Sequence, residues 1–107
     1  LSKVYLIQET GKWNLSPALE FGEVEVLLPP DFQLVFDTKN ITQLLQDKLE
    51  AITTKDYLLL AGDPALIGIA TAIAADYLDG EITLLKWDRQ EKIYIPIKLS
   101  LYGEEDE

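Results

Sequence analysis

Residues 55–80, KDYLLLAGDPALIGIATAIAADYLDG, leave the chain few choices, because a short apolar run passes through a Gly-Asp-Pro turn into an alanine-rich stretch with helical spacing. Residues 57–61 are too short for a helix and read as a buried strand, bounded by Lys55-Asp56 before and Gly62 after. Asp63 is placed to cap the helix that follows: its carboxylate can accept from an orphan first-turn amide. Pro64 then fits the first helical position, where no amide partner is needed. Gly80, after Asp79, is the expected C-terminal stop. Within the helix, Leu66, Ile69, Ile73 and Tyr77 form one stripe, and Ala65, Gly68, Ala72 and Ala75 form a second, of small residues. A helix apolar on so much of its circumference is expected to be covered on two sides, with Gly68 admitting another backbone at close range.

The remaining segments arrange themselves around this unit. Residues 3–8, KVYLIQ, read as a first strand, rich in β-branched and aromatic side chains. Residues 9–17 have the composition of a loop and carry Trp13, and residues 18–22 suggest a short turn. Residues 23–28 alternate well enough for a half-buried strand, ended by Pro29-Pro30. Residues 32–36 supply a third strand, expected to form a hairpin with the second. Ile41, Leu44, Leu45, Leu49 and Ile52 then share one face of an amphipathic helix, with Asn40 or Thr38 as its cap. At the other end, residues 82–87 and 93–101 form a hairpin around Asp88-Arg89-Gln90-Glu91. Ile93, Ile95, Ile97 and Leu99 share a face of its return strand, and Pro96, which lacks a ladder donor, puts that strand at a sheet edge.

Strands alternating with helices between residues 32 and 87 imply right-handed crossovers and parallel pairing in the middle of the sheet. The expected fold is α/β, with α+β as the alternative: a mixed sheet of about six strands with two helices in the order β-β-β-α-β-α-β-β. Both helices on one face and one helix on each face are equally compatible with the pattern. Residues 1–102 are expected to form a single domain, and 103–107 an acidic, disordered tail.

Absences narrow the chemistry. With no Cys and no His in 107 residues, there is no thiol nucleophile, Ser-His pair or Cys/His zinc cage, so no catalytic, metal or cofactor residue is assigned. The net charge of −10, from 19 acids against 9 bases, disfavours direct contact with nucleic acid, whose phosphates attract Lys and Arg. It suits a basic protein partner, or an acidic imitation of nucleic acid. No apolar run approaches the ~20 residues that cross a bilayer. A secretory leader is not expected of a start that reaches Glu9 so early, and a cytoplasmic location is the default.

Two places could carry function. Gly62-Asp63-Pro64 opens a helix at the end of a buried strand, where α/β proteins often seat ligands. Yet there is no glycine-rich phosphate motif, and Asp63 puts a negative charge where a phosphate would sit, so the ordinary role of Gly62 and Asp63 is a capped turn. Asp37, Asp56 and Asp88 read as solvated acids at strand ends. Trp87 and Arg89 at the hairpin tip, and Trp13 in the first loop, are candidate partner contacts, since Trp and Arg anchor interfaces; their plainer roles are a solvated turn and a lid on the core.

The segment LLLAGDPALIGIATAIAADYLDGEITLLKWDRQEKIYIPIKL resembles the C-terminal half of small uncharacterised proteins of tailed bacteriophages, including phages of marine bacteria, with VYLIQE and VEVLLPP similar near the start. The resemblance is strongest at AGDPA and KWDRQE. It brings no established activity and no functional residue, and implies a small accessory or host-modifying phage product acting in the bacterial cytoplasm. The leading expectation is therefore a non-enzymatic module that binds a host or phage protein. A small-ligand or nucleotide site at Gly62 and Asp63 is the alternative, and an acidic nucleic-acid mimic the third. A surplus of apolar surface also suggests a homodimer.

Overall fold

The structure is a computed structural model that describes residues 1–11, 14–32 and 38–103. The strands are β1 (Lys3–Gln8), β2 (Glu23–Leu28), β3 (Tyr57–Leu59), β4 (Glu81–Asp88) and β5 (Ile93–Ser100), and the helices are α1 (Thr38–Leu49) and α2 (Pro64–Tyr77). A 3-10 helix, Ser16–Glu20, links β1 to β2. The fold is the expected α/β arrangement with five strands among the described residues rather than six. Of the strand expected over 32–36, only Phe32 is described, and it is not in a strand. The rest of that segment, Trp13, and tail residues 104–107 lie outside the described residues.

The sheet order is β2-β1-β3-β4-β5. The first four strands are parallel, with Leu6 opposite Val26 and Leu59 and with Leu58 opposite Leu84, and β5 returns antiparallel to β4. Within the described residues β2 takes β1 as its neighbour, in parallel register, and the hairpin partner expected over 32–36 falls outside them beyond Phe32. β1 explains this position: five of its six residues are buried, the near-continuous apolar run of a strand covered on both faces. β2 alternates with exposed glutamates and stays outside it.

Both helices pack on the same face. Ile41, Leu45 and Leu49 of α1 and Leu66, Ala70, Ile73 and Ala74 of α2 meet Tyr5, Ile7, Leu58 and Ile82 in one core. The alternate strand residues Val4, Leu6, Leu59 and Leu85 point the other way and form a smaller cluster with Tyr94, closed by Ala18 of the 3-10 helix and by Leu15 and Phe21. The expectation that α2 would be covered on two sides is corrected. Ala65, Gly68 and Ala72 are exposed, and a Cβ built on Gly68 meets nothing within 4 Å. A stripe of side chains this short can face water at little hydrophobic cost, because it offers little apolar area.

The helix ends differ in how well the residues announce them. Asp63 caps α2 as expected, accepting from the Ala65 amide at 2.8 Å. At the other end both Asp79 (φ 53°) and Gly80 (φ 82°) take left-handed φ, with Asp79 directly after the last helical turn. The Asp79 amide donates to Asp76 and the Gly80 amide to Ala75, a Schellman arrangement. Thr38 and Asn40 both lie inside α1, so neither is its cap.

At the β5 edge the Leu101 amide donates to Gly80. By the alternation of an antiparallel ladder, odd-numbered β5 residues turn their amides toward β4 and even-numbered ones turn theirs outward. Pro96 thus sits where its missing donor faces the open side of the sheet, as its chemistry requires. On the helix-free face, Tyr94 is 3% exposed and its hydroxyl donates to the Asn14 carbonyl at 3.3 Å. Trp87 lies against its ring, with centroids 4.8 Å apart.

Burial raises the Tyr94 hydroxyl above its ordinary pKa, and Tyr5 is raised too, first by burial and then by the charges of Asp56 and Glu25. For groups raised in this direction the folded state holds the proton more tightly. Their contribution is intact below about pH 10, the ordinary tyrosine value, and is lost as pH rises through the folded values. Melts recorded from neutral to alkaline pH should show stability falling above about pH 10. Tyr94→Phe should lower stability by ~1 kcal/mol at neutral pH, through the lost hydrogen bond, and should flatten the alkaline decline. An unchanged decline in the variant would remove Tyr94 from this account.

Candidate functional site

The chain leaves β1 for β2 on one side and reaches β3 on the other, so the β1/β3 boundary is where strand order reverses. Open parallel sheets seat ligands at the carboxyl ends of their strands at such a point. Gly62 and Asp63, the turn singled out from sequence, stand there, directly after β3.

The crevice at this point is filled by Gln8, the last residue of β1. Gln8 is 6% exposed, and its amide is fully engaged: Nε2 donates to the Pro29 carbonyl at 3.2 Å and to the Phe32 carbonyl at 2.9 Å, and Oε1 accepts from the Asp63 amide at 2.8 Å. One side chain thus ties the ends of three parallel strands together. Gly62 makes room for it. Its φ is +121°, and a Cβ there would stand 2.4 Å from the Gln8 Cβ, closer than side chains approach. The amides of Asp63 and Ala65, which an anion would need at the mouth of α2, already have acceptors within the chain.

Beside this junction, on the helix-free face, Leu6, Ala61, Leu15, Glu9, Thr10 and Gly11 line a cleft of about 160 Å³. That is below the ~300 Å³ where sites for organic ligands usually begin, and its one ionisable group is acidic.

The hairpin tip contains the other sequence candidates. Trp87 is half-buried against Tyr94 and belongs to the smaller core, while Arg89 is exposed in the turn. Trp87 is therefore largely taken up in packing beside the tip, while Arg89 stays exposed in the turn. Trp13 lies outside the described residues. Next to the tip, on the helix side of the sheet, Ile93 and Ile95 are 46% and 39% exposed, and Ile97 and Leu99 of the same row are half-buried. The helical layer covers one end of β5 and leaves the other bare.

Two buried polar residues escaped the sequence reading. One is Gln8. The other is Asp56, expected to be a solvated turn acid and found 7% exposed. Its Oδ1 accepts from the Lys3 amide at 2.8 Å, and its Oδ2 accepts from the Thr53 amide at 2.8 Å and the Thr53 hydroxyl at 3.1 Å. It fixes the turn entering β3 and is a structural carboxylate.

No described helix is long and apolar enough to cross a membrane. Residues 2–101 match the family described as Phage Pam3 gp32-like protein, in agreement with the resemblance to small phage proteins read from AGDPA and KWDRQE. No curated protein and no solved structure matches the chain.

Proposed function

Because the chain belongs to the Phage Pam3 gp32-like protein family, we propose that it is a small phage accessory protein that works as a non-enzymatic protein-interaction module in the host cytoplasm and docks through the β4–β5 hairpin. The exposed pair Ile93 and Ile95, next to the exposed Arg89, carries this reading. Branched apolar side chains in a row on a regular strand, with an arginine at the end, are the kind of rigid patch that a protein partner buries. The switch-point crevice supports a small-ligand reading less well, since Gln8 occupies it.

The partner is a host or phage protein whose surface tolerates this chain's acidic charge. A second copy of the chain would have to bury the same row against the mutual repulsion of two chains at −10. The test compares cross-linked capture from phage-infected cells by wild type, Ile95→Lys and Arg89→Glu. The expected result is a defined set of proteins lost in both variants while their melts match wild type. Capture that is indifferent to both substitutions would overturn the proposal. Light scattering over a dilution series identifies the occupant: a mass that stays monomeric assigns the row to a heterologous partner, and a concentration-dependent dimer lost in Ile95→Lys assigns it to a second copy.

A further inference from the structure

The helix-free face is covered over one half only. The 3-10 helix, Leu15 and Phe21 close it above Val4, Leu6, Leu59, Leu85 and Tyr94. Beyond Phe21, which meets Tyr57 edge-on at 5.2 Å, a groove of about 490 Å³ remains open, lined by Ser2, Thr54, Lys55, Tyr57, Thr83, Pro96 and Lys98. It lies at the opposite end of the strands from the crevice that Gln8 fills, and away from the Ile93 and Ile95 row.

The charges in this groove run against the rest of the chain. Acids outnumber bases 19 to 9 overall, yet two lysines line one groove, and the ion pair between Lys3 and Glu25 involves neither. Glu81 borders the adjoining end of the groove, where its carboxylate accepts from the Ser100 hydroxyl. The hydroxyls of Thr54 and Thr83 can donate to an anion, and Tyr57 and Pro96 supply apolar surface. The turn bearing Thr54 and Lys55 is fixed from beneath: the buried Asp56 carboxylate holds Thr53, and the Lys55 amide donates to the Thr53 hydroxyl at 3.2 Å. Lys98, opposite Thr83, stands on the regular ladder between β4 and β5. Both lysines are thus carried on backbone already held in place, which lowers the ordering cost of binding.

We propose that this groove binds a small phosphate-bearing organic molecule, the phosphate held between Lys55 and Lys98 with the threonine hydroxyls donating and the organic part lying on Tyr57 and Pro96. Ammonium groups grip phosphate as strongly hydrated point charges. A shallow, partly apolar floor suits an attached ring better than free phosphate, so the two components should cooperate.

The test is an amide-resolved NMR titration of the full chain with phenyl phosphate, alongside inorganic phosphate and phenol. The expected result is saturable shifts confined to the residues around 54–57, 83 and 96–98, with phenyl phosphate binding more tightly than either component. Lys55→Gln and Lys98→Gln should each weaken it about tenfold, the loss of one charge-assisted contact, without altering the melt, since both side chains are exposed. Glu81→Gln should tighten binding severalfold by removing the nearby like charge. Shifts that track ionic strength alone, that spread over the whole surface, or that persist unchanged in both lysine variants would overturn the proposal.

Discussion

Ile73→Asp should abolish cooperative unfolding at ordinary temperatures. Ile73 lies on the buried side of α2 in the main core, 9% exposed, in the same cluster as Leu45, Leu49 and Ile82. The substitution removes a branched side chain from this core and leaves a carboxylate there, and none of the residues in that cluster is a cation. The two losses together exceed roughly 4 kcal/mol, against a total of ~5–15 kcal/mol for a domain of ordinary stability. The comparison that gives the result meaning is Gly68→Ala on the exposed side of the same helix. With nothing near its Cβ, alanine should stabilise by ~0.5–1 kcal/mol through helix propensity and reduced unfolded-state entropy. Thermal melts of both variants decide: a near-native transition for Ile73→Asp, or a large loss for Gly68→Ala, would reverse the assignment of the buried side.

The second large effect is expected at the junction of three strand ends. Gly62→Ala asks an L-residue to hold φ +121° and places a methyl group 2.4 Å from the Gln8 Cβ. The backbone strain alone is worth ~1–3 kcal/mol. Displacing Gln8 also breaks its hydrogen bonds to the Asp63 amide and the Pro29 and Phe32 carbonyls, at ~1 kcal/mol for each. A total loss above ~3 kcal/mol by denaturant unfolding is the expected outcome. Gln8→Ala should also destabilise, and the double variant should lose less than the sum of the singles, because the clash and the lost hydrogen bonds are one event counted twice. Strict additivity would show that Gly62 and Gln8 act independently.

The sequence disclosed whatever depends on local chemistry. Asp63 caps, Pro96 lies at an edge, and the period-two row from Ile93 to Leu99 shares a face, since each follows from what one residue can do to its own backbone. It was less informative about neighbours. The alternation of β2 does not say which strand lies beside it, and its parallel pairing with β1 follows from the double-sided burial of β1. The small-residue stripe of α2 misled for a related reason: alanine and glycine are compatible with tight packing without demanding it. Gln8 and Asp56 were illegible as buried groups because a polar residue at the end of an apolar run gives no sign of whether it meets water or three backbone partners. The hairpin tip was legible as a place, while the split between a packed Trp87 and an exposed Arg89 needed the cross-strand position of Tyr94.

The central place of β1 constrains the order in which the chain can acquire its structure. The first strand in sequence is flanked by β2 and β3, and on the β3 side its hydrogen-bond partners lie more than fifty residues further on. Five side chains that end among the most deeply buried in the protein must therefore wait until the middle of the chain is present, with the loop-closure entropy of that span to be met before the contacts form. The β4–β5 hairpin, by contrast, closes around a turn of four residues and can form from its own sequence alone. Among the described strands, the pair latest in sequence is thus the one best able to organise first, and the earliest completes the sheet only when the others come to it.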